Sequence, residues 1–169
     1  MTTELGDKNI VLIGMPGCGK TTVARALGAL TGRAVADADE EAEAWAGMPV
    51  PAFFAREGEN AFRDLETRIL ARLGERSGIV LATGGGCVLR PENYPLLHRR
   101  GVIVWLQRDT ALLSIEGRPL SQRTDLAAMY RRRAPLYRAF ADHIVDNNRT
   151  VAQAAEDVLA LFPTLERDL

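Results

Sequence analysis

The octet Gly14 to Thr21, Gly-Met-Pro-Gly-Cys-Gly-Lys-Thr, carries the residue types most able to do chemistry in this chain. Glycines at positions 14, 17 and 19 let the backbone form a concave loop whose N–H groups point at phosphate oxygens. Lys20 supplies a positive charge for the outer phosphates, and Thr21, at the start of the next helix, offers a hydroxyl to a magnesium ion. The spacing fits the pattern G-x-x-x-x-G-K-S/T and predicts a binding loop for nucleotide phosphates.

The flanks of the octet distinguish this loop from an ordinary glycine-rich turn that happens to contain a lysine. Asn9 to Ile13 is an apolar, β-branched run typical of a strand, and Thr22 to Leu30 has the apolar spacing of a helix. Lysine is also scarce, since Lys8 and Lys20 are the only two in the chain. We therefore interpret the octet as a phosphate loop between a strand and a helix.

Asp37 and Asp39 are candidates for metal binding and for catalysis. In Asp37-Ala38-Asp39, at the end of a second apolar run, alternation predicts that both carboxylates lie on one side of an extended chain and face a cleft. One carboxylate would hold magnesium through water, and the other would accept a hydrogen bond from a hydroxyl that attacks phosphorus. The alternative is that Asp39 only begins the acidic first turn of a helix.

Arg63 and a glycine cluster are candidates for binding the second substrate. Arg63 follows Phe53-Phe54 and Phe62, and an arginine beside an apolar wall suits a small anionic molecule, although a surface arginine on a helix is the alternative. Thr83 to Gly86 follows the apolar run Ile79 to Ala82 at the carboxyl end of a predicted strand. Consecutive glycines there permit close approach of a ligand to the backbone, and the alternative is a flexible turn.

Arginines dominate the last third of the chain. One or two of the following six are expected to stabilise the charge of a transferring phosphoryl group, and the others to be solvated: Arg118, Arg123, Arg131, Arg132, Arg133 and Arg138. Residues 117 to 124 are polar and contain a proline, and we interpret them as either a lid over the nucleotide or a plain surface loop.

Composition limits the function classes. The chain has 169 residues, of which 47% are hydrophobic and 25% charged, and this is typical of one globular domain with a sizeable core. A net charge of -1 favours neither a nucleic-acid binder nor a membrane-surface protein, and no apolar stretch is long enough for a membrane span. Met1 to Lys8 lacks a signal-peptide pattern, and Cys18 and Cys87 lie in glycine-rich segments that suit a reducing compartment, so we expect a cytoplasmic protein. We also expect a monomer.

The elements that must position these groups alternate between strands and helices. Short apolar runs predict strands at Ile10–Ile13, Ala34–Ala36, Ile79–Ala82, Val102–Leu106 and Ile144–Val145. Helical stretches such as 59–76 and 91–100 lie between them, which indicates a parallel sheet covered by helices on both faces. Thr150 and Gln153 form a capping box before a last helix whose apolar face holds Val151, Ala154, Ala155, Val158 and Phe162.

Several motifs together resemble one enzyme family in order and spacing. They are Gly14 to Thr21, Asp37 and Asp39, Phe62-Arg63, Gly84 to Gly86, Arg118-Pro119-Leu120 and Arg133-Ala134-Pro135-Leu136-Tyr137. This series, from about residue 9 to the final helix, resembles the shikimate kinase family. The resemblance implies an α/β fold like that of the nucleoside monophosphate kinases: three layers, a five-stranded parallel sheet, a substrate-binding helical segment at about 39–66 and a lid at about 117–124.

The resemblance also implies a reaction and roles. ATP would phosphorylate the 3-hydroxyl of shikimate with Mg²⁺ as cofactor, in the pathway to chorismate and the aromatic amino acids. Asp39 would bind the ring hydroxyls and orient the nucleophile, and Arg63 and Arg133 would clamp the carboxylate. The other implied roles are substrate contacts at Gly84, Gly85 and Gly86, ATP contacts at Gly17, Cys18, Gly19, Lys20, Thr21 and Thr22, metal binding at Thr21 and Asp37, and a catalytic lid arginine, Arg118.

The chain departs from the family pattern on the adenine side. Between Leu106 and Arg118 it is shorter than usual, and 147–150 match only part of the usual adenine-side segment. Two other functions stay open at this point. One is a kinase for another hydroxylated acid or for a nucleotide, for example gluconate. The other is a nucleotide-binding regulator without turnover.

Overall fold

The computed structural model of this protein describes residues 5–114 and 122–163, and for residues 122–124 it describes the backbone only. Within those ranges the strands are β1 Asn9–Ile13, β2 Val35–Asp37, β3 Val80–Ala82, β4 Gly101–Gln107 and β5 His143–Asp146. The predicted strands are confirmed, and none of their ends differs from the prediction by more than one residue.

The strands form one parallel sheet in the order β2-β3-β1-β4-β5. The central strand β1 pairs with β3 and β4, with Leu12 opposite Ala82 and Ile13 opposite Trp105. All of these strands therefore end at the same edge of the sheet, so the loop after β1 lies beside the loops after β3 and β4. Because β1 is buried on both faces, its residues Asn9 to Ile13 are all at most 1% exposed.

Helices cover the sheet and complete three layers, as the α/β fold class predicts. The α-helices of the described residues are α1 Lys20–Thr31, α2 Ala38–Ala46, α3 Val50–Glu57, α4 Glu59–Gly74, α5 Asn93–His98, α6 Gln122–Phe140 and α7 Val151–Ala160. Helix α1 packs against α7, whereas α4 packs against α5, and right-handed crossovers put these two groups on opposite faces. Among the described residues, no helix has the length and apolar character needed to cross a bilayer.

One prediction about the helices needs correction, and the predicted lid falls largely outside the described residues. Thr150 and Gln153 do form the capping box of α7, but Val151 is 38% exposed because it begins the helix at the surface, beyond the apolar face. Of the predicted lid, residues 117–121 lie outside the described residues, and 122–124 belong to α6.

Candidate active site

A cleft of about 1240 Å³ opens at the carboxyl edge of the sheet. Single-ligand pockets usually measure roughly 300–1,000 Å³, so this volume suits two small substrates side by side. Most predicted site residues line it: Gly17, Gly19, Lys20, Thr21, Asp37, Asp39, Arg63, Gly84, Gly85, Gly86 and Arg133. Cys18 is buried within the loop and Thr22 is exposed on α1, and neither side chain lines the cleft. Arg118 lies outside the described residues.

The phosphate loop is held tightly by its surroundings. Gly17 and Gly19 have φ angles of 77° and 91°, in the left-handed region that glycine tolerates best. A β-carbon on Gly17 would also lie only 2.6 Å from the Ser114 carbonyl oxygen. Both conformation and space therefore require glycine at position 17.

Lys20 begins α1 and is buried, with 8% of its surface exposed. Its Nζ donates hydrogen bonds to the carbonyl oxygens of Gly14, at 2.7 Å, and Met15, at 2.9 Å. These bonds fix the ammonium charge on the loop itself, beside the cleft.

Sequence reasoning missed the contacts that hold the outside of this loop. The Asn147 Nδ2 donates to the Cys18 carbonyl oxygen at 2.6 Å, and the Ser114 amide donates to the Gly17 carbonyl oxygen at 3.0 Å. Arg108 in turn donates through Nη1 to the Asn147 carbonyl oxygen. These contacts join segments that are far apart in the chain, and no local sequence motif predicts them.

Asp37 ends β2 and caps α2. Its Oδ1 accepts from the Glu40 amide at 3.0 Å, and its Oδ2 accepts from the Thr21 hydroxyl. The prediction of an extended chain through Asp39 is therefore wrong, because the cap starts the helix at Ala38 and Asp39 lies in its first turn. The two carboxylates nevertheless line the same cleft.

The Asp39 carboxylate is partly buried, and burial is the largest influence that raises its pKa. The Asp37 and Glu43 carboxylates raise the pKa of Asp39 further, whereas the Lys20 and Arg63 cations oppose that rise. Asp39 is thus influenced by the phosphate loop's cation and by the arginine that follows Phe62. This position suits a group that acts between a nucleotide and a second substrate.

Arg63 is buried on α4, with only 9% of its surface exposed, so the surface-arginine alternative is wrong. Its guanidinium lies 5.6 Å from the ring centre of Phe54 and 5.4 Å from that of Phe62, which is the predicted apolar wall. Arg63 Nη1 also pairs with Glu66 Oε1 at 2.9 Å. Sequence reasoning missed Glu66, although the i, i+3 spacing on a helix could have indicated it.

Two polar atoms of this pair lack partners. Among the described residues, neither Arg63 Nε nor Glu66 Oε2 has a hydrogen-bond partner, and both atoms are buried. Burial raises the pKa of the Glu66 carboxyl, while the Arg63 charge lowers it. Buried polar atoms are normally satisfied, so a donor and an acceptor left over at a cleft indicate a polar ligand there.

The glycine cluster makes the other wall of the cleft. A β-carbon on Gly84 would lie 2.7 Å from Asp39 Oδ1 and 2.8 Å from Glu66 Oε2, and one on Gly85 would lie 2.6 Å from Pro16 Cδ. The absence of side chains thus lets this loop touch the carboxylates and the phosphate loop at once. The flexible-turn alternative does not account for that packing.

Three arginines of α6 lie in two different environments. Arg132 and Arg133 line the cleft, with Met129 and Leu136 on the same helix. Arg138 instead packs its guanidinium 5.6 Å from the ring centre of Trp105.

Comparison with known proteins gives one consistent result. The family model described as shikimate kinase matches residues 16–162. A shikimate kinase of Cupriavidus pinatubonensis is 44% identical over 92% of this chain and 86% of its own, and one of Burkholderia thailandensis is 43% identical over 83% of this chain and 82% of its own. The solved structure titled shikimate kinase from Acinetobacter baumannii in complex with shikimate superposes with a TM-score of 0.86, at 36% identity and 93% coverage of both chains. The chain belongs to the shikimate kinase family.

Proposed function

We propose that this protein transfers the γ-phosphate of ATP to the 3-hydroxyl of shikimate, giving shikimate 3-phosphate and ADP. The observation that carries the proposal is the buried Arg63, held between two phenyl rings and Glu66 in the same cleft as a complete phosphate loop. Its relative from Acinetobacter baumannii was solved with shikimate bound, which supports the same acceptor here. We assign the activity to residues 1–169 as one kinase domain, and we propose that the protein is a monomer.

The acceptor half of the site would hold shikimate by its carboxylate and its hydroxyls. Arg63 and Arg133 both line the cleft, and an arginine pair can bind a carboxylate through several charge-assisted hydrogen bonds. The Arg63 Nε still has a hydrogen to donate, and Glu66 Oε2 can accept one from a ring hydroxyl. Gly84, Gly85 and Gly86 let the ring approach the backbone closely.

The donor half would hold the phosphates of ATP. The amides of Gly17, Cys18, Gly19, Lys20, Thr21 and Thr22 lie at the amino end of α1, where backbone N–H groups and the helix dipole favour anions. Lys20 brings a full positive charge to the same place. The assignment of Arg118 as the catalytic lid arginine rests on the family resemblance.

Thr21 and Asp37 fit a magnesium ion by the chemistry of their donors. A hydroxyl and a carboxylate, already in hydrogen-bond contact, are hard oxygen ligands, and Mg²⁺ commonly takes its other ligands from phosphates and water. Within the described ranges, no group of three or more His, Cys, Asp or Glu side chains could hold a metal ion on its own, which suits an ion that arrives with the nucleotide. When bound, Mg²⁺ would neutralise charge that develops on the phosphate oxygens.

Asp39 would orient the nucleophile. In its ionised form the carboxylate accepts a hydrogen bond from the 3-hydroxyl and aims that oxygen at the γ-phosphorus. The transition state of phosphoryl transfer is loose and spreads its negative charge over the transferring group, so positioning and nearby cations supply most of the acceleration. Lys20, on the phosphate loop, is a described cation that would stabilise this charge.

Turnover of ATP with a panel of acceptors tests the proposal. ADP formation would be followed by a coupled assay with shikimate, gluconate and a nucleoside monophosphate, each with Mg²⁺ and with Mg²⁺ chelated. We expect ADP to form with shikimate and Mg²⁺ only. ADP formation with gluconate or the nucleotide, but not with shikimate, would show another metabolite kinase; ATP binding without any turnover would show a regulator.

A further inference from the structure

The carbonyl groups of the glycine loop are held in two different ways. Gly84 and Gly86 accept hydrogen bonds from backbone amides of the short 3-10 turn that follows, Cys87–Leu89, at 3.2 and 3.0 Å. The middle carbonyl, that of Gly85, instead accepts from the Tyr137 hydroxyl at 2.6 Å. That bond reaches the loop from α6, 52 residues further along the chain.

Tyr137 is well suited to hold this carbonyl. Its side chain is 0% exposed and its ring packs 5.6 Å from Trp105 on β4, so the hydroxyl has little freedom to move. Burial raises the pKa of the Tyr137 hydroxyl, which keeps the proton on the oxygen and the group a donor. Tyr137 lies behind the cleft wall and has no place in its lining.

The same hydroxyl lies at the junction of three site components. Arg133 is one helical turn before Tyr137 on α6, near enough that its guanidinium lowers the pKa of the Tyr137 hydroxyl, against the larger effect of burial. Gly85, at the other end of the bond, packs against Pro16 of the phosphate loop. The Tyr137 hydroxyl therefore links Arg133, an arginine of the proposed carboxylate clamp, to the glycine loop, which packs against the phosphate loop.

We propose that Tyr137 is a positioning residue for the acceptor: its hydroxyl orients the Gly85 peptide and sets the separation between the glycine loop and Arg133. This inference rests on the proposed function, in which these two groups bind shikimate. Without the hydroxyl, the Gly85 carbonyl loses a buried partner and the peptide can rotate, while Arg133 loses a contact that fixes its rotamer. Shikimate binding should weaken, and ATP, held by the other loop, should bind as before.

The test is Tyr137→Phe, which keeps the ring and its packing. Loss of one buried hydrogen bond is worth about 1 kcal/mol, so we expect the KM for shikimate to rise roughly fivefold to tenfold with the KM for ATP nearly unchanged. Tyr130→Phe is the matched control. Tyr130 lies on the same helix, and its ring centre is 6.4 Å from that of Trp105. Its hydroxyl accepts a hydrogen bond from Gln107 Nε2 at 2.9 Å, outside the glycine loop. The control substitution should leave both KM values near those of the wild type.

A double-mutant cycle distinguishes a positioning role of Tyr137 from a general structural effect of its substitution. If Tyr137 acts through Arg133, the effects of Tyr137→Phe and Arg133→Lys on shikimate affinity will be clearly less than additive, whereas Tyr130→Phe will add to Arg133→Lys independently. A lower Tm for Tyr137→Phe with an unchanged shikimate KM would overturn the inference, and so would equal rises in both KM values. Absence of shikimate turnover in the wild type would instead reject the proposed function.

Discussion

Gly86 lies directly against the guanidinium of Arg63, so that a β-carbon at position 86 would overlap both terminal nitrogens of that arginine. The φ of Gly86 is -100°, which any residue can adopt. Glycine is therefore required here because there is no space for a β-carbon. The atoms that would have to move are the terminal atoms of the Arg63 side chain. Alanine at this position should displace Arg63 and leave the backbone in place.

For Gly86→Ala we accordingly expect weaker shikimate binding in a folded protein. Hydrogen bonds to a charged group are worth about 1.5–3 kcal/mol, so the KM for shikimate should rise on the order of tenfold or more, with the KM for ATP unchanged. Steady-state kinetics with each substrate varied would measure both. In an Arg63→Lys background the alanine should have little further effect, because lysine lacks the fork that the β-carbon displaces. An unchanged shikimate KM in Gly86→Ala would contradict this geometry.

Asp39→Asn should reduce turnover much more than ATP binding. The amide keeps the shape of the carboxylate but loses the charge that we propose orients the hydroxyl, and positioned groups of this kind typically contribute about a hundredfold or more. Asp64→Asn is the matched control, since Asp64 is exposed on α4 and pairs outward with Arg90. Single-turnover rates and calorimetric ATP titrations would separate the two effects. Wild-type turnover in Asp39→Asn would remove Asp39 from its role.

The sequence allowed the fold and much of the site to be predicted because the decisive signals are local. Apolar runs marked the strands, and the parallel order brought the groups after β1, β2 and β3 to one edge of the sheet. Asp37 shows where such reasoning fails. The pattern Asp-Ala-Asp suits an extended chain through Asp39, but the carboxylate of Asp37 caps α2, and the helix already begins at Ala38.

The rest of the site depends on contacts between distant segments. The bond between Asn147 and Cys18 spans 129 residues, and periodicity within one element carries no information about it. Tyr137 ends the Arg-Ala-Pro-Leu-Tyr motif, but the motif does not predict its partner. The hydrogen bond to Gly85 depends on the packing of α6 on the glycine loop. Glu66 is the exception, because a helical i, i+3 relationship to Arg63 is visible in the sequence.

The pH dependence of kcat/KM should report the environment of Asp39. Burial first, then the Asp37 and Glu43 carboxylates, raises the pKa of Asp39, so this carboxyl becomes protonated at a higher pH than an ordinary aspartic acid. In the proposed mechanism the ionised form orients the hydroxyl. Activity should therefore be lost as the pH falls through this raised pKa, and be retained above it.

Glu43→Gln tests whether protonation of Asp39 causes the loss of activity at low pH. The amide oxygen can still accept from the Val50 amide, at 3.3 Å, but the negative charge that raises the pKa of Asp39 is gone. The acid side of the kcat/KM profile should therefore move to lower pH. Glu41→Gln, an exposed change on the same helix, should leave the profile where it is. If the profile of Glu43→Gln also stays in place, another group controls it.

Asn147→Asp should weaken ATP binding selectively. The Nδ2 that donates to the Cys18 carbonyl oxygen at 2.6 Å would be replaced by an oxygen that repels it, in a position only 4% exposed. A buried carbonyl left without a donor costs about 1–3 kcal/mol, and a phosphate loop that shifts to relieve this cost presents its amides less well. We expect the KM for ATP to rise on the order of tenfold, with the KM for shikimate unchanged.

Asn148→Asp separates the loss of the Asn147 hydrogen bond from the effect of an added negative charge. It adds the same negative charge one residue away, but the Asn148 Oδ1 that accepts from the Asp109 amide at 2.8 Å is an acceptor in either side chain. ATP affinity should then stay close to that of the wild type, measured by calorimetric titration with both variants at the same ionic strength. Equal losses in the two variants would mean that charge repulsion with the nucleotide, rather than the Asn147 bond to the phosphate loop, explains the weaker binding.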